Sequence, residues 1–436
     1  MKRFFTTIKN IFSIEDLRVR ILNTIGFLII FRLGSYIVLP GIDAQALTGN
    51  QGGIFDLINT FLGGSFSRAS IFALGIMPYI SASIVVQLLT VAVPHFTKLQ
   101  KEGDSGRKKL NQFTRVLTIV ITAAQSYGYL RATINPEAII DPGLFFQVSS
   151  VIILVSGTMF CMWLGERITD KGIGNGISML IMIGIVSRFP GALWLEMTGK
   201  GMNGALLFII ELLVLFFVVV GVIALTQATR RIPVQYAKQV VGNKLYGGKR
   251  DFIPLKLNSA GVMPIIFAQA LMFIPPMLAG IWRESDFSSY IGSAFADFTT
   301  WEYNLLFATL ILLFTFFYTA ITVPSQDIAD NLKRNGGFIP GIKPGKQTAE
   351  FIDSVLSKIT LPGAIFLAGV AIMPAFAVKA GVTQNFAQFY GGTSLLILVG
   401  VVLDTLQQIE SYLLMRHYEG MMKSGRVKGR SQFAAA

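Results

Sequence analysis

Ten apolar segments, most of them close to 20 residues long, constrain this chain more than any other feature of its sequence. A helix of about 20 apolar residues crosses the hydrocarbon core of a bilayer, where only helices and closed barrels satisfy every backbone hydrogen bond. Charged residues make up only 14% of the chain, against about 25% in soluble proteins. The sequence therefore predicts an all-α polytopic membrane protein with ten spans, at 21–39, 69–93, 114–133, 146–165, 173–190, 204–226, 261–282, 303–323, 357–378 and 392–414.

A short internal repeat divides these spans into two sets of five. The segments Gly75-Ile76-Met77-Pro78-Tyr79-Ile80-Ser81-Ala82 and Gly261-Val262-Met263-Pro264-Ile265-Ile266-Phe267-Ala268 share one pattern and lie 186 residues apart. Chance similarity between apolar strings is the alternative explanation. Paired spans interrupted by Gly and Pro in corresponding halves point to a central pathway. We predict an N-terminal half at 21–190 and a C-terminal half at 191–414.

The distribution of Lys and Arg predicts the orientation of the spans. With both termini in the cytosol, 30 of the 37 basic residues fall in cytosolic segments, which is the side where they are enriched. Residues 1–20 are then an amphipathic cytosolic helix, and residues 415–436 are a basic cytosolic tail. A cleaved signal peptide is the alternative for the N-terminus, but Glu15 and Asp16 precede an apolar run that is longer than a typical signal core.

Two cytosolic segments, 228–256 and 324–356, are too long to be simple connections. Loops of this length are usually functional or disordered, and the glycines and prolines of the second loop favour a fixed turn. One interpretation is a docking platform for an anionic partner such as a ribosome or an acidic protein surface. The alternative is attraction to anionic lipid. The candidate docking residues are Arg230, Arg231, Lys238, Lys244, Lys333, Arg334, Lys343 and Lys346.

The sequence lacks the motifs of an enzyme, and it suggests neither a cofactor nor a metal. Cys161 is the only cysteine, and two histidines are too few and too separated for a metal site. Three ionisable residues, Arg32, Glu211 and Asp404, fall within predicted spans. Such residues mark transport pathways or pair with neighbouring helices. An inverted-repeat secondary transporter of a small molecule is therefore the alternative function, and it would depend on Glu211 or Asp404.

Aliphatic residues offer a different kind of pathway. Ile76 and Ile80 share one helical face, as do Ile177 and Ile181, and Ile266 matches Ile80 in the repeat. A constriction lined by such side chains closes by steric contact and dewetting. The alternative is that these isoleucines face lipid or the protein core.

Several long motifs closely resemble those of the SecY/Sec61-alpha family, and the similarity runs from the first span into the tail. These motifs are Phe31-Arg32-Leu33-Gly34, Pro40-Gly41-Ile42-Asp43, the segment 67–84, Trp163-Leu164-Gly165-Glu166, Gly172-Ile173-Gly174-Asn175-Gly176-Ile177-Ser178, Ala329-Asp330-Asn331-Leu332-Lys333 and Gly391-Gly392-Thr393-Ser394-Leu395-Leu396-Ile397.

The resemblance implies a passive channel that translocates signal-bearing polypeptides across the bacterial cytoplasmic membrane and releases transmembrane segments into lipid. The two five-helix halves would be pseudo-symmetric and inverted. The pore ring would be Ile76, Ile80, Ile177, Ile181, Ile266 and Ile397. The segment 53–66, which could otherwise be an ordinary external loop helix, would be a re-entrant plug helix with Ile54, Phe55, Leu57, Ile58, Phe61 and Leu62. The lateral gate would include Pro78, Ser81, Ile84, Gln87, Pro264 and Gln269.

The resemblance also implies partners: small SecE- and SecG-type membrane subunits, the SecA motor ATPase, the ribosome, preproteins and the lipid bilayer. Two departures from the family pattern concern this docking. Lys343 and Asn243 stand where many relatives have arginine. Lysine lacks the planar fork of arginine, so the partner-binding role carries over less directly than the channel itself.

Overall fold

The structure is a computed structural model. It describes residues 12, 14–43, 47, 59, 62–132, 134, 138–141, 143–201, 204–236, 239–241, 244–246, 250–272, 290, 294–295 and 297–423.

Helices account for most of the described residues, and each predicted span overlaps one of them. The ten corresponding helices are α1 (Glu15–Gly34), α2 (Met77–Ala92), α4 (Asp104–Ala132), α5 (Leu144–Lys171), α6 (Gly176–Lys200), α7 (Ala205–Gln227), α8 (Met263–Met272), α9 (Trp301–Thr322), α11 (Lys346–Lys379) and α13 (Gly392–Lys423). Shorter helices are α3 (Pro94–Lys101), α10 (Ser325–Arg334) and α12 (Gln384–Ala387).

Among the described residues, six helices are long and apolar enough to cross a membrane, or seven if the bent pair α2–α3 is one span. The pair α2–α3 bends by 99° at Val93, where Pro94 follows and cannot donate a backbone hydrogen bond. These findings confirm a mostly helical protein with several spans.

Several predicted boundaries are wrong. The second span was predicted from residue 69, but residues 62–76 form successive turns and α2 begins at Met77. The reason is local, because Gly75 has φ +51°, a backbone conformation outside the helical region. Helix α11 begins 11 residues before the predicted span at 357, so residues 346–356 are helical rather than part of a loop. Helix α13 likewise continues through residues 415–423 of the predicted tail.

The segment 228–256 contains strands, which an all-α prediction did not include. The strands are β1 (Thr229–Tyr236), β2 (Gln239–Val241), β3 (Lys244–Tyr246) and β4 (Arg250–Lys256), and β5 (Gly337–Phe338) follows α10. Strand β1 is central in an antiparallel sheet of order β4–β1–β5, and β2 pairs with β3. The sequence does contain a signal for a strand here. Ile232 and Val234 alternate with exposed residues, as expected for a half-buried strand.

The chain divides into two compact units, residues 1–190 with 401–436, and residues 191–400. One hydrophobic core of the first unit contains Leu62 and Leu74, from the turns of 62–76, together with Tyr129, Phe146 and Leu154. In the second unit, one core joins the sheet to α10 and to the first turns of α11, through residues such as Ile232, Leu255, Leu332, Ile352 and Leu356.

Candidate functional site

Four helices carry the predicted pore-ring isoleucines, and each begins at or just after a glycine with positive φ. These glycines are Gly75, Gly174, Gly261 and Gly392, with φ of +51°, +82°, +63° and +63°. Glycine adopts this conformation without steric cost. Gly75 and Gly261, the first residues of the sequence repeat, each lie two residues before a helix whose second residue is proline. The repeat therefore encodes one local structure twice: a left-handed glycine followed by a proline-started helix.

Three of the six isoleucines follow these glycines at the same spacing. Ile80, Ile266 and Ile397 each lie five residues after their glycine. Ile76, Ile80, Ile181 and Ile397 are buried, whereas Ile177 and Ile266 are half-buried. Each isoleucine thus lies in the first two turns of a helix, or immediately before it.

The glycine-rich junction (residues 172–176) connects α5 to α6 in the first unit, and α1 holds it on one side. The Thr24 hydroxyl accepts a hydrogen bond from the Ile173 amide at 3.0 Å, and the Arg20 guanidinium donates to the Gly172 carbonyl at 3.2 Å. A Cβ on Gly172 would lie 2.4 Å from Thr24 Oγ1. Glycine is therefore required there by close packing.

Helix α13 holds the glycine-rich junction on another side. The Gly174 amide donates to Gln408 Oε1 at 2.8 Å. Asn175 Oδ1 accepts from the amides of Ile177 and Ser178, as an N-cap side chain does. These contacts set the start of α6, and with it the positions of Ile177 and Ile181.

Of the predicted plug residues, Leu62 is described, and Ile54, Phe55, Leu57, Ile58 and Phe61 lie outside the described residues. Leu62 is 4% exposed, and a Cβ on Gly75 would lie 2.4 Å from its Cδ2. Residues 62–66 form turns, so the predicted half-helix at 53–66 does not extend to its last residues.

The predicted gate residues lie on two helices in different units. Pro78, Ser81, Ile84 and Gln87 are on α2, and Pro264 and Gln269 are on α8. The Ser81 hydroxyl donates to the Met77 carbonyl at 3.2 Å, and the Gln87 amide donates to Ser83 Oγ at 3.3 Å. Gln269 is buried at 5% exposure.

The two long loops contribute to one surface, because residues of both lie in the core around Ile232 and Leu332. Strand β5, from the second loop, pairs with the end of β1, from the first. The side chains of Arg230, Arg231, Lys333, Arg334, Lys343 and Lys346 are exposed on this loop platform (229–236, 250–256 and 325–346). Lys238 lies outside the described residues, and Lys244 lies in β3 with its side chain undescribed.

A buried charge cluster in the second unit includes Glu211 and two residues that the sequence analysis missed. Lys200 Nζ lies 2.7 Å from Glu196 Oε1 and also forms an ion pair with Glu211 Oε1. The other oxygen of Glu196 accepts from the Thr383 amide at 3.0 Å and from the Thr383 hydroxyl. Glu196 is completely buried. The i, i+4 spacing of Glu196 and Lys200 was the available signal.

The cluster ties the end of α6 to the start of α7 and to the turn before α12. Glu211 therefore has a structural partner, as one of the two sequence interpretations expected. Asp404 is exposed and forms no ion pair with any residue that the structure describes. The described part of the chain also contains no group of three His, Cys, Asp or Glu residues that could hold a metal ion.

A protein-family model and a known relative both match most of this chain. The SecY family model matches residues 70–406. The protein translocase subunit SecY of Streptomyces coelicolor is 42% identical over 438 aligned residues, which cover 96% of this chain and 100% of the relative.

Solved structures share the fold at much lower identity. One is a SecY protein whose plug domain stabilises the closed state of the translocation channel, with a TM-score of 0.63 and 16% identity, covering 90% of this chain and 92% of that one. Another is Sec61 in the canine ribosome–channel complex from the endoplasmic reticulum, with a TM-score of 0.56 and 15% identity over the same shares.

Proposed function

The chain belongs to the SecY family, and from this membership we infer that it is the protein-conducting channel subunit of a translocase, with no enzymatic activity of its own. The observation that carries this conclusion is the 42% identity to a translocase subunit along nearly the whole of both chains. The motifs that carry the resemblance lie at the end of α1 and just after it, at the starts of α2, α6 and α13, and within α5 and α10. The channel is a multi-pass membrane protein.

We propose that Ile76, Ile80, Ile177, Ile181, Ile266 and Ile397 form an aliphatic ring that seals the pore. The recurrence of a left-handed glycine before each ring-bearing helix supports this assignment. Aliphatic side chains make no strong contacts with a passing chain, so they seal around it without trapping it, and they exclude water at rest.

The plug and the gate complete the proposed mechanism. In a SecY protein of the same fold, the plug domain stabilises the closed state and maintains a membrane seal. The segment 53–66 would have that role here, and Leu62 would anchor its end against Gly75.

A signal helix would bind between α2 and α8, near Pro78, Ser81, Ile84, Gln87, Pro264 and Gln269. Its binding would stabilise the open state and allow lateral release into lipid.

The loop platform is the proposed docking surface for the source of energy. Its exposed basic residues, together with Lys238 and Lys244, would bind the SecA motor or the ribosome. A related fold occurs in a canine ribosome–channel complex. Small SecE- and SecG-type subunits would associate within the membrane. We propose that the platform lies in the cytosol, because its basic residues agree with the positive-inside rule, and that both termini lie on that side of the bacterial cytoplasmic membrane.

Disulfide crosslinking to a translocating chain tests the conducting path. Cys161 is fully buried, so it can remain while a second cysteine is introduced by Ile80→Cys or Ile397→Cys. A preprotein arrested by a folded C-terminal domain, with one cysteine in its mature part, should crosslink to both positions under mild oxidation.

Ile209→Cys is the matched control, because Ile209 is 56% exposed on α7 and is not a proposed ring residue. We expect at least several-fold less crosslinking there. Equal crosslinking at Ile80→Cys and Ile209→Cys would show that the chain does not pass through the proposed ring.

A further inference from the structure

Two arginines of the first unit converge on one backbone carbonyl. The Arg68 guanidinium donates to the Gly63 carbonyl at 3.0 Å, and Arg32 Nη1 donates to the same oxygen at 3.4 Å. Arg32 lies near the end of α1, and Arg68 lies in the turns before α2. Residues far apart in sequence therefore bring two positive charges to one point.

The aromatic ring of Tyr36 lies beside both guanidinium groups. The central carbon of Arg68 is 4.3 Å from the ring centroid, and that of Arg32 is 5.5 Å away. Cation–π contact of this kind orients a guanidinium without neutralising its charge. Tyr36 itself is 59% exposed, so the arrangement is accessible from outside the protein.

The charge of this pair is not balanced within the described part of the chain. Neither Arg32 nor Arg68 forms an ion pair with a carboxylate there. Burial lowers the pKa of the Arg68 guanidinium, the neighbouring Tyr36 side chain partly offsets this by raising it, and the charge of Arg32 lowers it. The group nevertheless stays protonated, because arginine is not deprotonated in proteins. An anion would relieve this repulsion.

Hydrogen-bond donors are also left over. Each guanidinium has five N–H donors, and the Gly63 carbonyl takes one from each residue. Arg68 Nε is buried and has no hydrogen-bond partner among the described residues. A buried donor without a partner is destabilising, so an added acceptor would be stabilising.

Two adjacent glycines make room for the arginine side chains. Gly63 and Gly64 both have positive φ. A Cβ on Gly63 would lie 2.4 Å from Arg32 Nη1, and a Cβ on Gly64 would lie 3.1 Å from Arg68 Nη2. The backbone of this turn is therefore built around the guanidinium pair.

We propose that Arg32, Arg68 and Tyr36 form a binding site for a phosphate group. A carboxylate has two oxygens in one plane and suits one planar arginine fork. A phosphate presents three or four oxygens in a tetrahedral arrangement, so it can accept hydrogen bonds from two guanidinium groups at once and neutralises more of their charge. The phosphate could belong to a lipid headgroup or to a free anion, and this site is independent of the channel assignment.

Thermal unfolding of the full chain in detergent tests the site with inorganic phosphate as the probe, at constant ionic strength maintained with chloride. We expect a saturable rise in Tm with phosphate, and an apparent affinity at least tenfold weaker after Arg32→Gln or Arg68→Gln. Arg68→Lys is a milder variant that keeps the charge and loses the fork, and it should also bind more weakly. Arg18→Gln, at an exposed position of α1, is the control and should bind as the wild type does.

A second arm uses lipid nanodiscs of phosphatidylglycerol or phosphatidylcholine, with lipids that remain bound counted by native mass spectrometry. Loss of a retained phosphatidylglycerol in Arg68→Gln, without a Tm response to free phosphate, would assign the site to lipid. A Tm response alone would assign it to a free anion. The proposal is overturned if the wild type responds to neither probe, or if the variants respond as the wild type does.

Discussion

At the scale of single residues, close packing explains glycines that sequence motifs alone leave ambiguous. The neighbours of the three glycines in the glycine-rich junction are Thr24, Gln408 and the α5 backbone. A Cβ on Gly176 would lie 1.9 Å from the Gly165 carbonyl oxygen. The backbone of α5 must therefore move if any side chain is added there.

We predict that Gly176→Ala destabilises the protein by about 1–3 kcal/mol, the usual cost of overpacking. Gly128→Ala is the matched control, because a Cβ at this helical position of α4 meets nothing within 4 Å, and alanine favours a helix. The measurement is the Tm of both variants in detergent. A Gly176→Ala protein as stable as the Gly128→Ala protein would show that the junction is not tightly packed.

Lys200 neutralises two buried carboxylates, so its removal leaves both Glu196 and Glu211 without their cation. We predict that Lys200→Met lowers the free energy of unfolding by about 3–5 kcal/mol, because breaking a buried ion pair leaves an uncompensated charge in the protein interior. Lys346→Met is the control, since Lys346 is exposed and 4.0 Å from Glu350, and exposed pairs contribute about 0–1 kcal/mol. Equal Tm values for the two variants would refute the role of Lys200.

At the scale of elements, the sequence predicted the helices better than their ends. Ten apolar segments each overlap a helix, because the bilayer admits few other structures. Helix ends depend on local chemistry instead. Helix α11 begins at Lys346, before its apolar segment. Hydropathy cannot predict that extension, because the added residues are not part of an apolar run.

The strands of the loop platform were missed for a different reason. The alternation of the buried residues Ile232 and Val234 with exposed residues is short. The basic residues around it were interpreted by their charge and not as part of a strand. Glu196 was missed because it lies beyond the predicted end of the fifth span, at residue 190. Contacts with Thr383, which is distant in sequence, bury it, and no local pattern reveals such a contact.

Lys343 offers a test of the loop platform as an element. We predict that Lys343→Arg binds the SecA motor several-fold more tightly, because guanidinium presents a planar fork to carboxylates where ammonium is a point charge. Lys343→Glu should weaken binding at least tenfold. Lys379→Glu, an exposed position on the predicted external side, is the control.

Co-flotation of SecA with proteoliposomes measures this binding at fixed salt. The platform assignment of Lys343 would be wrong if the arginine and glutamate variants both bound as the wild type does.

At the scale of the whole molecule, the sequence motifs and the family membership both indicate a protein-conducting channel. The internal repeat was visible before any comparison, and its two copies have the same local structure at Gly75 and Gly261. The pairing of Glu211 with Lys200 gives that carboxylate a structural partner. The transporter alternative made ion-coupled uptake depend on Glu211 or Asp404. That the six isoleucines form one ring is not encoded in any local pattern, and it stays a prediction.

Motor-driven translocation into liposomes would show whether this chain conducts polypeptides. Purified protein with SecE- and SecG-type subunits is placed in liposomes, and SecA, ATP and a signal-bearing preprotein are added outside. We predict protease-protected preprotein that requires both ATP and the signal sequence. Absence of protection, with SecA bound to the vesicles and ribosome-bound chains also failing to enter, would contradict the account.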